Sequence, residues 1–120
     1  MILIIEDEAI TRGAFAKVLA LRGHQVMEAA DGLQALNLLE QHQFSVVITD
    51  LALPKVTGFG LIGKIRLKWP DVPIILVSAY LSPEVAKQIL TGKTKFISKP
   101  VDDNELVAAV EHFTSLGTLS

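Results

Sequence analysis

Residues 44–50 are Phe44-Ser45-Val46-Val47-Ile48-Thr49-Asp50, a short apolar run that ends on a carboxylate. Four further runs complete a set of five strand candidates: Ile2–Ile5, Gln25–Glu28, Pro73–Val77 and Lys95–Ser98. Ile, Val and Phe dominate the first, third and fourth runs, a composition typical of parallel strands that are covered on both faces. We therefore predict five strands, of which the third covers residues 44–49.

The segments between the runs carry helix signals. Three helix starts have capping residues: Asp31 with Gln34, Ser82 before Pro83, and Asp102 with Glu105. Two further helices are predicted from about Glu8 to Arg22, which Gly23 follows as a stop, and from Gly58 to about Trp69. Strict alternation of strand and helix predicts a doubly wound α/β fold, in which a five-stranded parallel sheet has helices on both faces.

Length, composition and charge narrow the possible functions. The 120 residues suit one domain over residues 1–120, and half of them are hydrophobic, so a core needs neither disulfides nor metal. There is no cysteine, and the net charge of −2 predicts binding to neither nucleic acid nor an anionic membrane. The amino terminus turns acidic at once, unlike a signal peptide, and no apolar run is long enough to span a bilayer. We expect a soluble, cytoplasmic domain.

Reactive side chains follow four of the five predicted strands. Glu6 and Asp7 follow the first strand, Asp50 the third, Ser78 the fourth and Lys99 the fifth. Ligands of open parallel sheets bind beyond the carboxyl ends of the strands, so we expect these side chains to meet. Two carboxylates about 4 Å apart repel by about 4 kcal/mol, and Mg²⁺ together with a lysine would relieve this repulsion. Such a site suits phosphoryl transfer, for which an aspartate can be the nucleophile.

Four motifs occur in order along the chain: Ile2-Leu3-Ile4-Ile5-Glu6-Asp7-Glu8, Asp50-Leu51-Ala52-Leu53-Pro54 with Gly58, Val77-Ser78-Ala79, and Phe96-Ile97-Ser98-Lys99-Pro100. With this order and spacing, nearly the whole chain resembles the receiver domains of two-component response regulators. The resemblance implies a flavodoxin-like sheet with strand order 2-1-3-4-5. It also implies that the domain is no enzyme beyond phosphotransfer to its own aspartate and hydrolysis of the product.

The resemblance also implies roles for the acidic residues. Asp50 is expected to be the phospho-acceptor, and Mg²⁺ is expected to bind Glu6, Asp7, Asp50 and the backbone carbonyl of Ala52. Glu6 stands where aspartate is commoner in the family, so its carboxylate reaches one methylene further. Ala52 cannot orient a water molecule, which indicates slow self-hydrolysis of the phosphorylated form.

Further roles concern the switch and the partners. Ser78 matches the hydroxyl that bonds a phosphoryl oxygen, Lys99 the ammonium that pairs with it, and Phe96 the aromatic residue of the switch. The bond between Lys99 and Pro100 is expected to be cis. The implied partners are a histidine kinase or phosphotransfer protein as donor and a downstream effector or output domain, with a phosphorylation-dependent dimer as a further expectation. The domain is expected to be either a stand-alone shuttle or part of a longer regulator.

Two other functions stay open. A phosphorylation-independent interaction module with the same fold would explain the departure at Glu6. A Mg²⁺-dependent phosphohydrolase would need a second aspartate two residues after the nucleophile, where Ala52 stands. A glycine pattern over residues 58–63 matches the dinucleotide-binding fingerprint, but it does not directly follow a strand, so we predict no nucleotide cofactor.

Overall fold

A computed structural model of the protein describes residues 1–51 and 58–118, in which five strands alternate with five helices. The elements are β1 (Ile2–Ile5), α1 (Ala9–Ala20), β2 (Val26–Ala29), α2 (Gly32–Gln41), β3 (Val46–Asp50), α3 (Gly58–Lys68), β4 (Ile74–Ser78), α4 (Pro83–Ile89), β5 (Thr94–Ser98) and α5 (Asp103–Thr118). Within these residues, no helix combines the length and the apolar character needed to cross a membrane.

The strands form one parallel sheet with the order β2-β1-β3-β4-β5, which confirms the predicted flavodoxin-like topology. In this register Ile5 pairs with Ala29 on one side and with Thr49 on the other, and Asp50 pairs with Val77. All five strands therefore point their carboxyl ends toward the same edge, where ligands of open parallel sheets bind.

The central strands are covered on both faces, as their composition predicts. Every residue of β1 and β3 is buried, and so are the first four residues of β4. Alternate residues of these strands enter two separate hydrophobic clusters, because successive side chains of a strand point to opposite faces. One cluster contains residues of α1 and α5, and the other contains residues of α2, α3 and α4.

The capping signals mark the helix starts correctly. The Asp31 carboxylate accepts the amide N–H of Gln34 at 2.9 Å, and the Ser82 hydroxyl accepts the amide N–H of Val85 at 3.2 Å. Asp102 likewise accepts two amide N–H groups of the first turn of α5, at 2.8 and 3.1 Å. After α1, Gly23 adopts a φ of +87°, a left-handed conformation that glycine tolerates best.

The strand ends differ from the prediction by one or two residues. β3 begins at Val46 and extends through Asp50, and β4 extends through Ser78, because backbone pairing with the neighbouring strands continues to these residues. Phe44 precedes β3 and packs against a core cluster instead. Asp50 and Ser78 are therefore the last residues of strands, not the first residues of loops, and the sheet itself fixes their backbones.

Arg66 of α3 joins several backbone segments at the opposite, amino-terminal edge of the sheet. Its guanidinium donates to the carbonyl oxygens of Val72, of Pro70 at 3.3 Å and of Lys93 at 2.8 Å, and to the hydroxyl of Thr94 at 2.6 Å. These acceptors lie just before β4 and at the start of β5. Arg66 therefore ties α3 to the beginnings of both strands.

We expect Arg66→Met to lower the free energy of unfolding by about 2 kcal/mol, because hydrogen bonds to charged groups contribute about 1.5–3 kcal/mol. Urea denaturation followed by circular dichroism measures this change. Lys64→Met, at an exposed position of the same helix, is the matched control and should stay within about 0.5 kcal/mol of the wild type. Equal stabilities of the two variants would contradict a stabilising role for Arg66.

Candidate functional site

Three carboxylates meet at the carboxyl edge of the sheet. Each of Glu6, Asp7 and Asp50 offers an oxygen, and these oxygens lie within 4.8 Å of one another. The register explains this arrangement: Ile5 pairs with Thr49, so the residues that follow, Glu6 and Asp50, come side by side. Glu6 and Asp50 are only 2% and 4% exposed, whereas Asp7 is exposed. The cluster is therefore a buried pair with one carboxylate that faces solvent.

The Lys99 ammonium binds both buried carboxylates. It donates to Oδ2 of Asp50 and, at 3.4 Å, to Oε1 of Glu6. Burial lowers the pKa of Lys99, but the hydrogen bond and charge of Asp50, with the smaller effects of Glu6, outweigh burial and raise this pKa above its usual value. Lys99 is therefore a cation at neutral pH and is the counter-ion of the site.

Among the described residues, one ammonium lies beside three carboxylates, and the pKa of Glu6 is raised in this buried site. Burial raises the pKa of Glu6 to about 7, and the hydrogen bond with Asp7 and the charge of Asp50 act in the same direction. The amide N–H of Glu8, which donates to the Glu6 carboxylate at 3.2 Å, and the charge of Lys99 both oppose this rise in pKa. Near neutral pH the site thus holds an exchangeable proton on Glu6.

The donor set suits a hard divalent cation. Carboxylate oxygens are the protein ligands that Mg²⁺ prefers, and Mg²⁺ usually keeps several waters, for which the exposed side of Asp7 leaves access. A divalent ion would also neutralise the negative charge that Lys99 leaves unbalanced. The fourth predicted ligand, the carbonyl of Ala52, lies outside the residues that the structure describes.

Ser78 and Phe96 lie on the strands next to the acidic cluster. Ser78 ends β4, is half-buried, and donates its hydroxyl to the carbonyl of Tyr80 at 3.1 Å. Its own carbonyl accepts the amide N–H of Lys99 at 2.9 Å, so the backbone links the predicted switch residue to the predicted counter-ion. Phe96 is half-buried against the cluster formed with α2, α3 and α4. The peptide bond between Lys99 and Pro100 is cis, as predicted.

Arg12 contacts the acidic segment but was not among the predicted site residues. Its Nη1 donates to the backbone carbonyl of Glu6 at 2.8 Å, and its Nε donates to the Glu28 carboxylate at 3.2 Å. The sequence offers one weak signal for this contact, because Arg12 lies one helical turn beyond Glu8 and α1 thereby directs it back toward the end of β1.

Comparison with known proteins finds relatives of several kinds, among them transcriptional regulators and sensor kinases. The chain is 38% identical over 112 residues to the probable transcriptional regulator ycf27 of Guillardia theta, an alignment that covers 91% of this chain and 43% of the relative. It is 31% identical over 113 residues to the sensor kinase CckA of Brucella abortus, with 92% and 12% covered. The chain therefore spans less than half the length of these two relatives.

A solved structure shares the whole fold. The response regulator receiver domain protein (CheY-like) from Methanospirillum hungatei superposes with a TM-score of 0.89 at 26% identity, over 99% of this chain and 97% of that one. Fold, acidic edge and relatives together define a phospho-acceptor signalling domain of two-component systems. The family model described as the response regulator receiver domain matches residues 2–111, and the chain belongs to that family.

The pKa of Glu6 predicts a pH-dependent stability for the metal-free protein. In the unfolded chain Glu6 releases its proton near pH 4.5, whereas in the folded chain it keeps this proton up to about pH 7. The folded state therefore binds more protons over this interval, and its stability falls as the pH rises from about 4.5 to about 7. The loss amounts to about 3 kcal/mol for a shift of this size.

We expect Glu6→Gln to remove this pH dependence, because glutamine does not titrate. Urea unfolding of wild type and variant at pH 5 and pH 8 in the presence of a chelator measures the difference. Glu84→Gln, at an exposed position in the first turn of α4, should follow the wild type. A difference between wild type and Glu6→Gln that stays constant with pH would show that burial does not raise the pKa of Glu6.

Proposed function

We propose that residues 1–120 form a receiver domain that accepts a phosphoryl group on the carboxylate of Asp50. The observation that carries this proposal is the position of Asp50, a nearly buried carboxylate at the end of a central strand that is bound by Lys99 and adjoins two further carboxylates. A carboxylate with a fixed backbone and a cationic neighbour suits phosphoryl transfer, in which catalysis is mostly positioning and charge stabilisation.

This geometry supports direct transfer of the phosphoryl group to Asp50. An oxygen of Asp50 attacks the phosphorus of the donor, and the bond between phosphorus and the leaving group breaks while the bond to Asp50 forms. The leaving group takes the bonding electron pair, so Asp50 becomes an aspartyl phosphate. Lys99, already within hydrogen-bonding reach of Asp50, would turn its N–H donors to the phosphoryl oxygens.

Glu6, Asp7 and Asp50 are the residues that would hold Mg²⁺, together with the carbonyl of Ala52 if the expectation from the family applies. When bound, the ion supplies positive charge that neutralises both the carboxylates and the phosphoryl oxygens. Glu6 must lose its proton to act as a ligand, so its raised pKa makes the affinity for the ion increase with pH up to and above about 7.

The output of the domain is proposed to be a change of the partner-binding face formed by α4, β5 and α5. A phosphoryl group on Asp50 offers new acceptor oxygens. The hydroxyl of Ser78, which now donates to the carbonyl of Tyr80, would donate to one of these oxygens instead. Phe96 would then move together with the segment that contains Ser78 and Tyr80, in a population shift between two conformations of the domain. One phosphoryl group is stored per chain, and the domain is not expected to turn over a separate substrate.

The names of the relatives support the choice of partners. They include a sensor kinase and a probable transcriptional regulator, so a histidine kinase or phosphotransfer protein is proposed as the donor and an effector or output domain as the reader. Phosphorylation could also be detected through the formation of a phosphorylation-dependent dimer of the domain. The alternative of a phosphorylation-independent module finds no support among these relatives.

Incubation with Mg²⁺ and a small phosphodonor such as acetyl phosphate tests the acceptor. We expect intact-mass spectrometry to show a gain of about 80 Da, one phosphoryl group, in the wild type and none in Asp50→Asn. Asp71→Asn, at an exposed carboxylate near the opposite edge of the sheet, should be phosphorylated like the wild type. A wild type without the adduct, or an adduct in Asp50→Asn, would refute Asp50 as the acceptor.

The role of Lys99 is tested by the rate at which this adduct forms. We expect Lys99→Met to slow phosphorylation about 100-fold, because it removes a charged donor aimed at the transferred group. Lys95→Met, at an exposed lysine of β5, is the matched control and should leave the rate unchanged. The measurement is the single-turnover rate at saturating Mg²⁺, and equal rates for the two variants would exclude Lys99 from the transfer step.

A further inference from the structure

Arg12 holds the peptide group that joins the two acidic residues of the β1–α1 connection. Its Nη1 donates to the carbonyl oxygen of Glu6 at 2.8 Å, and this carbonyl shares its peptide plane with the amide nitrogen of Asp7. The Arg12 side chain is only 20% exposed, so its hydrogen bonds are partly shielded from water. The contact therefore constrains the orientation of this peptide group, from which the side chains of Glu6 and Asp7 extend on either side.

The other groups around this peptide are anchored as well. The amide N–H of Glu6 donates to the carbonyl of Ala29 in β2 at 3.0 Å, and Nε of Arg12 donates to Glu28, the preceding residue of β2, at 3.2 Å. The carboxylate of Glu6 accepts the amide N–H of Glu8. Through Arg12 the acidic segment is thus tied to β2 and to α1 together.

The contact with Glu28 orients the guanidinium but contributes little attraction of its own. The Glu28 side chain is 45% exposed, and exposed ion pairs are weak because water and salt screen them. The hydrogen bond to the carbonyl is different, because it is part-buried and therefore meets less competition from water. The carbonyl contact is therefore the interaction through which Arg12 acts on the site.

We propose that Arg12 is a positioning residue that sets the Mg²⁺ affinity of the Glu6 and Asp7 carboxylates. The proposal rests on the function proposed above, because it concerns the ion assigned to that site. Groups that orient metal ligands typically change metal affinity 10- to 100-fold when they are removed. We expect Arg12→Met to weaken Mg²⁺ binding about tenfold.

Two measurements separate positioning from a general loss of structure. Isothermal titration of the metal-free protein with MgCl₂ at pH 8 gives the affinity directly. Amide hydrogen exchange in the absence of metal reports the order of the segment, and we expect exchange at Asp7 and Glu8 to accelerate in Arg12→Met. Exchange at Ile48 in the buried centre of β3 should stay unchanged.

Three further variants complete the design. Arg22→Met, at an exposed arginine just beyond α1, is the matched control and should bind Mg²⁺ like the wild type. Glu28→Gln keeps an acceptor for Nε and should change the affinity less than twofold. Arg12→Lys keeps one donor for the carbonyl and should lose less affinity than Arg12→Met; it carries the test if the methionine variant does not fold.

The outcomes decide the two proposals separately. An affinity of Arg12→Met within twofold of the wild type, or a loss in Glu28→Gln as large as in Arg12→Met, overturns the role of the carbonyl contact. A wild type that binds no Mg²⁺ overturns the proposed metal site, and hydrogen exchange at Asp7 and Glu8 then decides alone whether Arg12 positions the segment. Unchanged exchange at both amides would reject that positioning.

Discussion

Repulsion between carboxylates at one edge of the sheet is the constraint on which the rest of the site depends. Glu6 and Asp50 are almost fully buried, and they remain together because Lys99 binds both and because the pKa of Glu6 rises to about 7. Such an arrangement is poorly balanced in the absence of additional cations. It therefore favours binding of a divalent ion. It also keeps the Lys99 ammonium beside Asp50, where this cation can interact with the negative charge of a phosphoryl group.

The parallel sheet makes this concentration of charge possible. Strand pairing fixes the backbone of Asp50 against Val77 of β4 and that of Ser78 against Ser98 of β5, and the hydrophobic clusters on the two faces hold the central strands in place. The stability of the core thus compensates for an edge that is unfavourable by itself. Reactive groups that follow four strands, far apart in sequence from one strand to the next, reach one edge.

Much of the fold could be predicted from local patterns, because apolar runs and capping residues report short-range physics. The strand order and the meeting of Glu6, Asp7, Asp50 and Lys99 also agree with the prediction. Arg12 and Arg66 could not be predicted in this way, since a long side chain chooses its carbonyl acceptors only after distant segments have packed. The raised pKa of Glu6 likewise depends on burial, which the residue type alone does not reveal.

The hydrogen bonds of Arg66 have a consequence for how a conformational change at Asp50 would spread through the domain. They fasten the beginnings of β4 and β5 to α3, whereas the other ends of these strands carry the half-buried Ser78 and lead to the exposed Tyr80. Side-chain hydrogen bonds from Arg66 thus reinforce strand pairing at one end of β4 and β5. If phosphorylation of Asp50 displaces these strands, we expect the displacement to be smaller at that end than on the surface beside Asp50.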